Sequence, residues 1–391
     1  MQLRVMARDR VRTYPNTTPK RVNFVGIQHS HGVACSGYSQ AAVRTGYEQV
    51  LAHRTSDLFA STAKKPGKVI SKTETGLVIE YDDGEVKGIE IGRRFGHAAG
   101  LTIPHDVVTG LKEGQRVKPG DLLCYNSGFF EADTLNPSNV VWKAGIIVKT
   151  ALMESTATLE DSSAISARVA KLLTTKTTKI KEIVLNFDQS VRKLVKVGDS
   201  VEAEDILCII EDAVTANTEL FDESSLDTLR LLSAQTPTAK TKGVVERIEV
   251  FYHGDKQEMS ESLRAIANAS DRDLIKRNKA AGKPGFDGSV DESYRVDGEP
   301  LALDTLAIRV YITADVAAGV GDKGVFCNQM KTVFGQVMSG ETTTESGKVI
   351  DAIFGMKSID DRIVLSPSLI GTTTTLLDVI AKKAIAAYKK A

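Results

Sequence analysis

Two lysines, Lys323 and Lys331, stand eight residues apart in the stretch Gly319-Val-Gly-Asp-Lys-Gly-Val-Phe-Cys-Asn-Gln-Met-Lys-Thr-Val-Phe-Gly335. An ammonium is a compact positive charge suited to phosphate oxygens, and glycine lets a backbone pass close to a ligand. A continuous strand would hold the two lysines about 26 Å apart. A straight helix would still leave about 12 Å. For both to act on one ligand the chain must reverse between them, and Cys327-Asn328 is the place for that turn.

Several readings of the stretch compete. Gly319-x-Gly321-x-x-Gly324 follows the strand-like run Leu306–Ile312 and matches the dinucleotide fingerprint, with room behind it for a single βαβ unit. No Gly-Lys-Ser/Thr follows, which excludes a Walker A loop. A surface hairpin with solvated lysines fits the same letters. A second group with chemical potential is Glu160-Asp161, between a run read as a central strand, Trp142–Met153, and a helix-like segment, Arg168–Leu173. By position alone, these carboxylates read as caps for that helix.

Composition narrows the function classes. The chain has 391 residues, 42% of them hydrophobic, which is enough for cores in two or three domains. Lys+Arg and Asp+Glu balance at 50 each, so any contact with nucleic acid must come from local patches or from partner subunits. The four cysteines form no CxxC pair and read as reduced, mostly buried thiols. His29 and His31 have no third ligand nearby. No run of 18 apolar residues and no secretory pattern occurs, so the expectation is a soluble chain with no membrane contact.

Along the chain, Lys64–Gly92 reads as a β meander turning at Asp83-Gly84. Val117-Lys-Pro-Gly-Asp-Leu-Leu-Cys124 is echoed by Val201-Glu-Ala-Glu-Asp-Ile-Leu-Cys208, each after a glycine turn at Gly114 or Gly198. The echo predicts a pseudo-symmetric barrel or sandwich. Lipoyl and biotinyl carriers share this texture, but neither copy presents their hairpin-tip lysine. Ile180–Ile210 is strand-like, Asp212–Thr241 an excursion, and 256–280 helical. The Gly/Asp-rich Lys283–Pro300 is expected to be mobile.

The lysine stretch is similar, without a gap, to the motif of the β subunit of multisubunit DNA-dependent RNA polymerases. That motif reads Gly-Asp-Lys, seven residues, then Lys. Phe326-Cys-Asn-Gln329 replaces the family's Gly-Arg-His-Gly. Other segments resemble the family in its own order. They are Val22–Val33, Thr45-Gly46 with Glu48, Glu160-Asp161 before Ser162, Gly243–Phe251, and Asp361 to Gly371 with Pro367. The family's arginines near the first and last of these are absent. The resemblance covers roughly residues 21–385 and corresponds to the C-terminal half of a β subunit, as in the split subunits of large-genome bacteriophages.

The fold implied is mainly β with some α: a double-psi β-barrel, a barrel-sandwich hybrid module and a reduced flap. The implied division is an arm at 1–20, barrel segments at 21–60, 126–175 and 306–391, barrel-sandwich parts at 61–125 and 176–250, and the flap at 251–305. Lys323 and Lys331 would contact nucleotide and RNA phosphates. Glu160 and Asp161 would lie near the incoming nucleotide and a second Mg2+, the metal being held mainly by a β′-type partner. Other partners implied are the N-terminal part of β, template DNA, nascent RNA and nucleoside triphosphates. The implied location is the host cytoplasm or a virion. The competing expectation is an inert virion or scaffold protein that keeps the barrel without its chemistry.

Overall fold

The computed structural model describes residues 2–3, 32–40, 50–53, 56–98, 101–134, 136, 138–143, 145–212, 235–327, 330–361 and 366–389. The chain is mainly β with a few helices. Among the described residues no helix is long and apolar enough to cross a membrane.

One sheet carries both groups singled out from the sequence. Its strands are β1 (Gln2–Leu3), β2 (Ile146–Ile147), β3 (Thr150–Leu152), β4 (Ser162–Ser166), β5 (Lys323–Phe326), β6 (Met330–Met338) and β7 (Ala352–Phe354). They lie in the order β2-β1-β5-β6-β4-β7-β3. The two edges, β2 and β3, are separated along the chain only by Val148 and Lys149, so the sheet curls back on itself. Inside the curl lie Ile146, Val148, Ile165, Phe326, Met330, Phe334 and Phe354, all buried.

The joint between β2 and β3 is a polar stitch. Asp351 is 5% exposed. Its carboxylate accepts from the Lys149 amide at 2.9 Å and from Arg168 at 2.6 Å. The Asp351 amide donates back to the Lys149 carbonyl at 2.8 Å. A central strand over Trp142–Met153 is therefore not formed. Gly145, at φ +104°, breaks the run, and three short strands, Val140–Trp142, β2 and β3, replace it.

A second, eight-stranded sheet is built around Thr305–Val316, which pairs with Thr175–Asn186 on one side and Gly243–His253 on the other. Helix Glu261–Ala280 lies on it, burying Leu263 and Ala267 against the Val250 and Tyr252 cluster. The segment expected to form a flap is thus folded onto this sheet. The Gly/Asp-rich part is held as well: Val290 donates to the Tyr252 carbonyl, and Tyr252 donates to that of Gly288, both at 2.9 Å. The strand-like stretch Ile180–Ile210 is built of several strands. Thr175–Asn186, Ser190–Leu194, Ser200–Val201 and Cys208–Glu211 succeed one another through turns.

The meander is present as Gly67–Lys72, Gly76–Tyr81 and Val86–Glu90, with Gly84 at φ +85° in the turn. The internal echo is structural too. Gly114 donates to Val69, whose amide returns to Gln115; Gly198 donates to Val245, whose amide returns to Asp199. The partners extend the repeat to Thr62-Ala63-Lys64-x-x-Gly67-x-Val69 and Thr238-Ala239-Lys240-x-x-Gly243-x-Val245. The first of these segments precedes its echo and the second follows it, so the two units are circular permutations of one another. Cys124 and Cys208 fall at matching buried positions, and all four cysteines are buried.

Candidate functional site

The lysine stretch is a β-hairpin. Strands β5 and β6 pair antiparallel in the register Lys323↔Val333, Gly324↔Thr332, Val325↔Lys331, Phe326↔Met330. The chain reverses after Phe326, where Cys327 takes a left-handed φ of 49°. Asn328 and Gln329 lie outside the described residues.

Strand alternation then sorts the side chains. Phe326, Met330, Thr332 and Phe334 are buried on one face, while Lys323, Val325, Lys331 and Val333 share the other. Lys323 and Lys331 are diagonal neighbours across the pair, a relation that spans about 7–8 Å. Both are exposed, and among the described residues neither makes an ion pair. Two ammonium groups at this spacing repel each other in isolation and together suit a polyanion such as an oligophosphate.

The glycines of the stretch serve the hairpin. Gly321, at φ +96°, sits in the turn Gly319–Asp322, closed by the Gly319 amide on the Asp322 carboxylate at 2.8 Å. A Cβ on Gly324 would meet the Phe334 ring at 2.6 Å. Gly324 lies within the strand Lys323–Phe326, where the dinucleotide fingerprint would open a helix, and this removes the dinucleotide reading. Behind the turn lies Cys35. Burial pushes its thiol up to about 11, with the Asp322 carboxylate adding to the rise.

Glu160 and Asp161 arrive from the other side of β6. Strand β4 pairs parallel to β6, Ser162 with Val333, and the Asp161 carbonyl accepts from the Val333 amide at 3.1 Å. Both acidic residues are exposed. They stand at the start of a strand and not at the end of one, and they cap no helix. The short helix Ala167–Leu172 is capped by Ser166, whose hydroxyl accepts from the Val169 amide at 3.2 Å. Glu160 adopts a left-handed φ of 55°, and its carbonyl is held by the Ser358 hydroxyl. Among the described residues no three His, Cys, Asp or Glu side chains gather as a metal site. Two carboxylates alone fall short of the octahedral oxygen set that Mg2+ takes.

The structure therefore brings the lysine pair, on β5 and β6, and the acidic pair, just ahead of β4, to neighbouring places at one sheet. It also shows two residues that sequence reasoning missed. Thr332 and Ser163 are buried, and the Thr332 hydroxyl donates to that of Ser163 at 2.8 Å, locking the lysine strand to the acidic strand. The only trace of this in the sequence is a polar residue at an inward position of an alternating strand. The Thr45-Gly46-Glu48 turn and the Val22–His31 part of the first matching segment lie outside the described residues. Compared with known proteins, the chain matches no family model, and no curated protein matches it.

Proposed function

We propose that this chain is one polypeptide of a multi-chain DNA-directed RNA polymerase, a β-type C-terminal part that positions nucleotide and RNA phosphates. The observation carrying the reading is the hairpin, which sets Lys323 and Lys331 on one open face, beside the strand that follows Asp161. The order of resembling segments along the chain supports the same reading. We read the curled sheet as the double-psi barrel and the permuted repeat as the barrel-sandwich module.

In this role the two ammonium groups clamp phosphate oxygens and offset the charge that builds as an RNA 3′-hydroxyl attacks the α-phosphate and pyrophosphate leaves. The strands fix the spacing of the two backbone positions from which these groups reach before the ligand arrives. Mg2+, which a β′-type companion would mainly hold, would supply the remaining charge neutralisation. Glu160 and Asp161, next to the lysine strand, would lie near the incoming nucleotide and its metal.

Alone the chain is inactive. In the assembled enzyme, Lys323→Ala and Lys331→Ala should each slow nucleotide addition by at least about tenfold while assembly is preserved, because one lost preorganised charge contact typically costs a few kcal/mol. Unchanged transcription by both variants would favour the inert scaffold.

A further inference from the structure

Helix Ser366–Tyr388 ends the described chain and leaves a row of large apolar side chains in solvent. Leu369 is 52% exposed, Leu376 58%, Val379 44% and Ile380 59%. The helix meets the body of the protein through another side, where Thr374 is buried and Gly371 and Leu377 are half-buried. Exposure of this extent is unusual for a soluble surface and marks an interface.

The exposed row has a period. Leu369, Thr373, Leu376, Ile380, Lys383 and Ala387 follow one another at spacings of four and three, the spacing of a coiled-coil seam, with Leu376 and Ile380 as its apolar centre and Thr373 and Lys383 as polar layers on either side. Val379, Ala384 and Ala386 flank it without charge, while Asp378 and Lys382 pair with each other on the outer face. We propose that this seam binds the same seam of a second copy of the chain, with the two helices antiparallel.

The direction follows from the layers. Parallel helices would stack Lys383 on Lys383, two like charges in a desolvated layer. An antiparallel pair centred on Asp378 sets Leu376 against Ile380, Lys383 against the hydroxyl of Thr373, and the large Leu369 against the small Ala387. The contact is two-fold symmetric and closes on itself. It would bury on the order of 1,000 Å² in total, the size at which a specific interface begins. The proposal is independent of the polymerase reading, since it uses no residue of the lysine or acidic pairs.

Sedimentation velocity on the full chain, from about 1 to 100 µM, tests it. The expected result is a reversible monomer–dimer equilibrium. Leu376→Asp with Ile380→Asp should abolish it with the circular dichroism spectrum unchanged, and Lys383→Leu should tighten it at least tenfold. Oxidative cross-linking should link the double variant Leu376→Cys/Ile380→Cys and spare each single variant, because the four native cysteines are buried. A chain monomeric throughout the range, or efficient cross-linking of the single variants, would overturn the proposal. So would a monomer that floats with phosphatidylglycerol vesicles through the same seam.

Discussion

At the residue scale, the account rests on where single side chains are forced to point. Lys323 and Lys331 were legible because a turn between them is the only way for both to serve one ligand, and strand alternation fixed their shared face. The backbone at Glu160 was not legible. Its φ of 55° is set by the contact of its carbonyl with Ser358, a residue nearly two hundred positions away. A left-handed conformation costs a residue with a Cβ about 1–2 kcal/mol. Glu160→Gly should therefore raise stability in urea unfolding by up to about 1 kcal/mol while lowering nucleotide incorporation by the assembled enzyme. A loss of stability would show that the carboxylate, and not the strain, governs the position. His105 offers a pH test. Burial, with Arg94 nearby, holds its pKa below the ordinary 6.5, and the Asn126 amide donates to its Nδ1 at 3.0 Å. The unfolded chain then binds a proton that the native chain does not, so stability is full above the unfolded value and is lost as pH falls below it. Replacing His105 by Gln should flatten the decline in stability between about pH 7 and 5. An unchanged slope would place the titration elsewhere.

At the element scale, the elements with local grammar were legible and those depending on distant partners were not. The meander was marked by β-branched runs and an Asp-Gly turn, and the lysine hairpin by alternation on both sides of Cys327. The supposed strand Trp142–Met153 failed because its apolar letters serve three short strands whose break is imposed by Gly145 and by Asp351, far along the chain. In the segment resembling the family near Pro367, the proline falls in the first turn of the last helix, where it has no hydrogen bond to lose. The seam held by Asp351 has a measurable weight. Asp351→Ala leaves the Lys149 amide without its carboxylate acceptor and should cost about 1–3 kcal/mol in urea unfolding. Asp351→Asn, which keeps a carbonyl oxygen at that position, should recover part of the loss. An alanine variant as stable as the parent would mean that the curled sheet does not depend on this stitch.

At the scale of the whole molecule, two devices organise the chain. A curled sheet gathers β1, β2–β4 and β5–β7 from distant parts of the sequence and places the lysine and acidic pairs side by side. A permuted repeat builds the paired modules next to it. One half of that repeat was visible in the Gly114 and Gly198 echoes. The other half, Thr62–Val69 and Thr238–Val245, was hidden because its chain order is reversed between copies and only the hydrogen bonds reveal the equivalence. The central claim is that Lys323 and Lys331 stand at the growing end of a transcript. The most direct test assembles the full enzyme on an RNA whose 3′-terminal ribose has been oxidised to a dialdehyde, then reduces with borohydride, so that only an amine beside the RNA end is captured. The label should map to Gly319–Gly335 and disappear when both lysines are replaced by arginine. Label that never reaches this stretch, in an enzyme that still extends unmodified RNA, would contradict it.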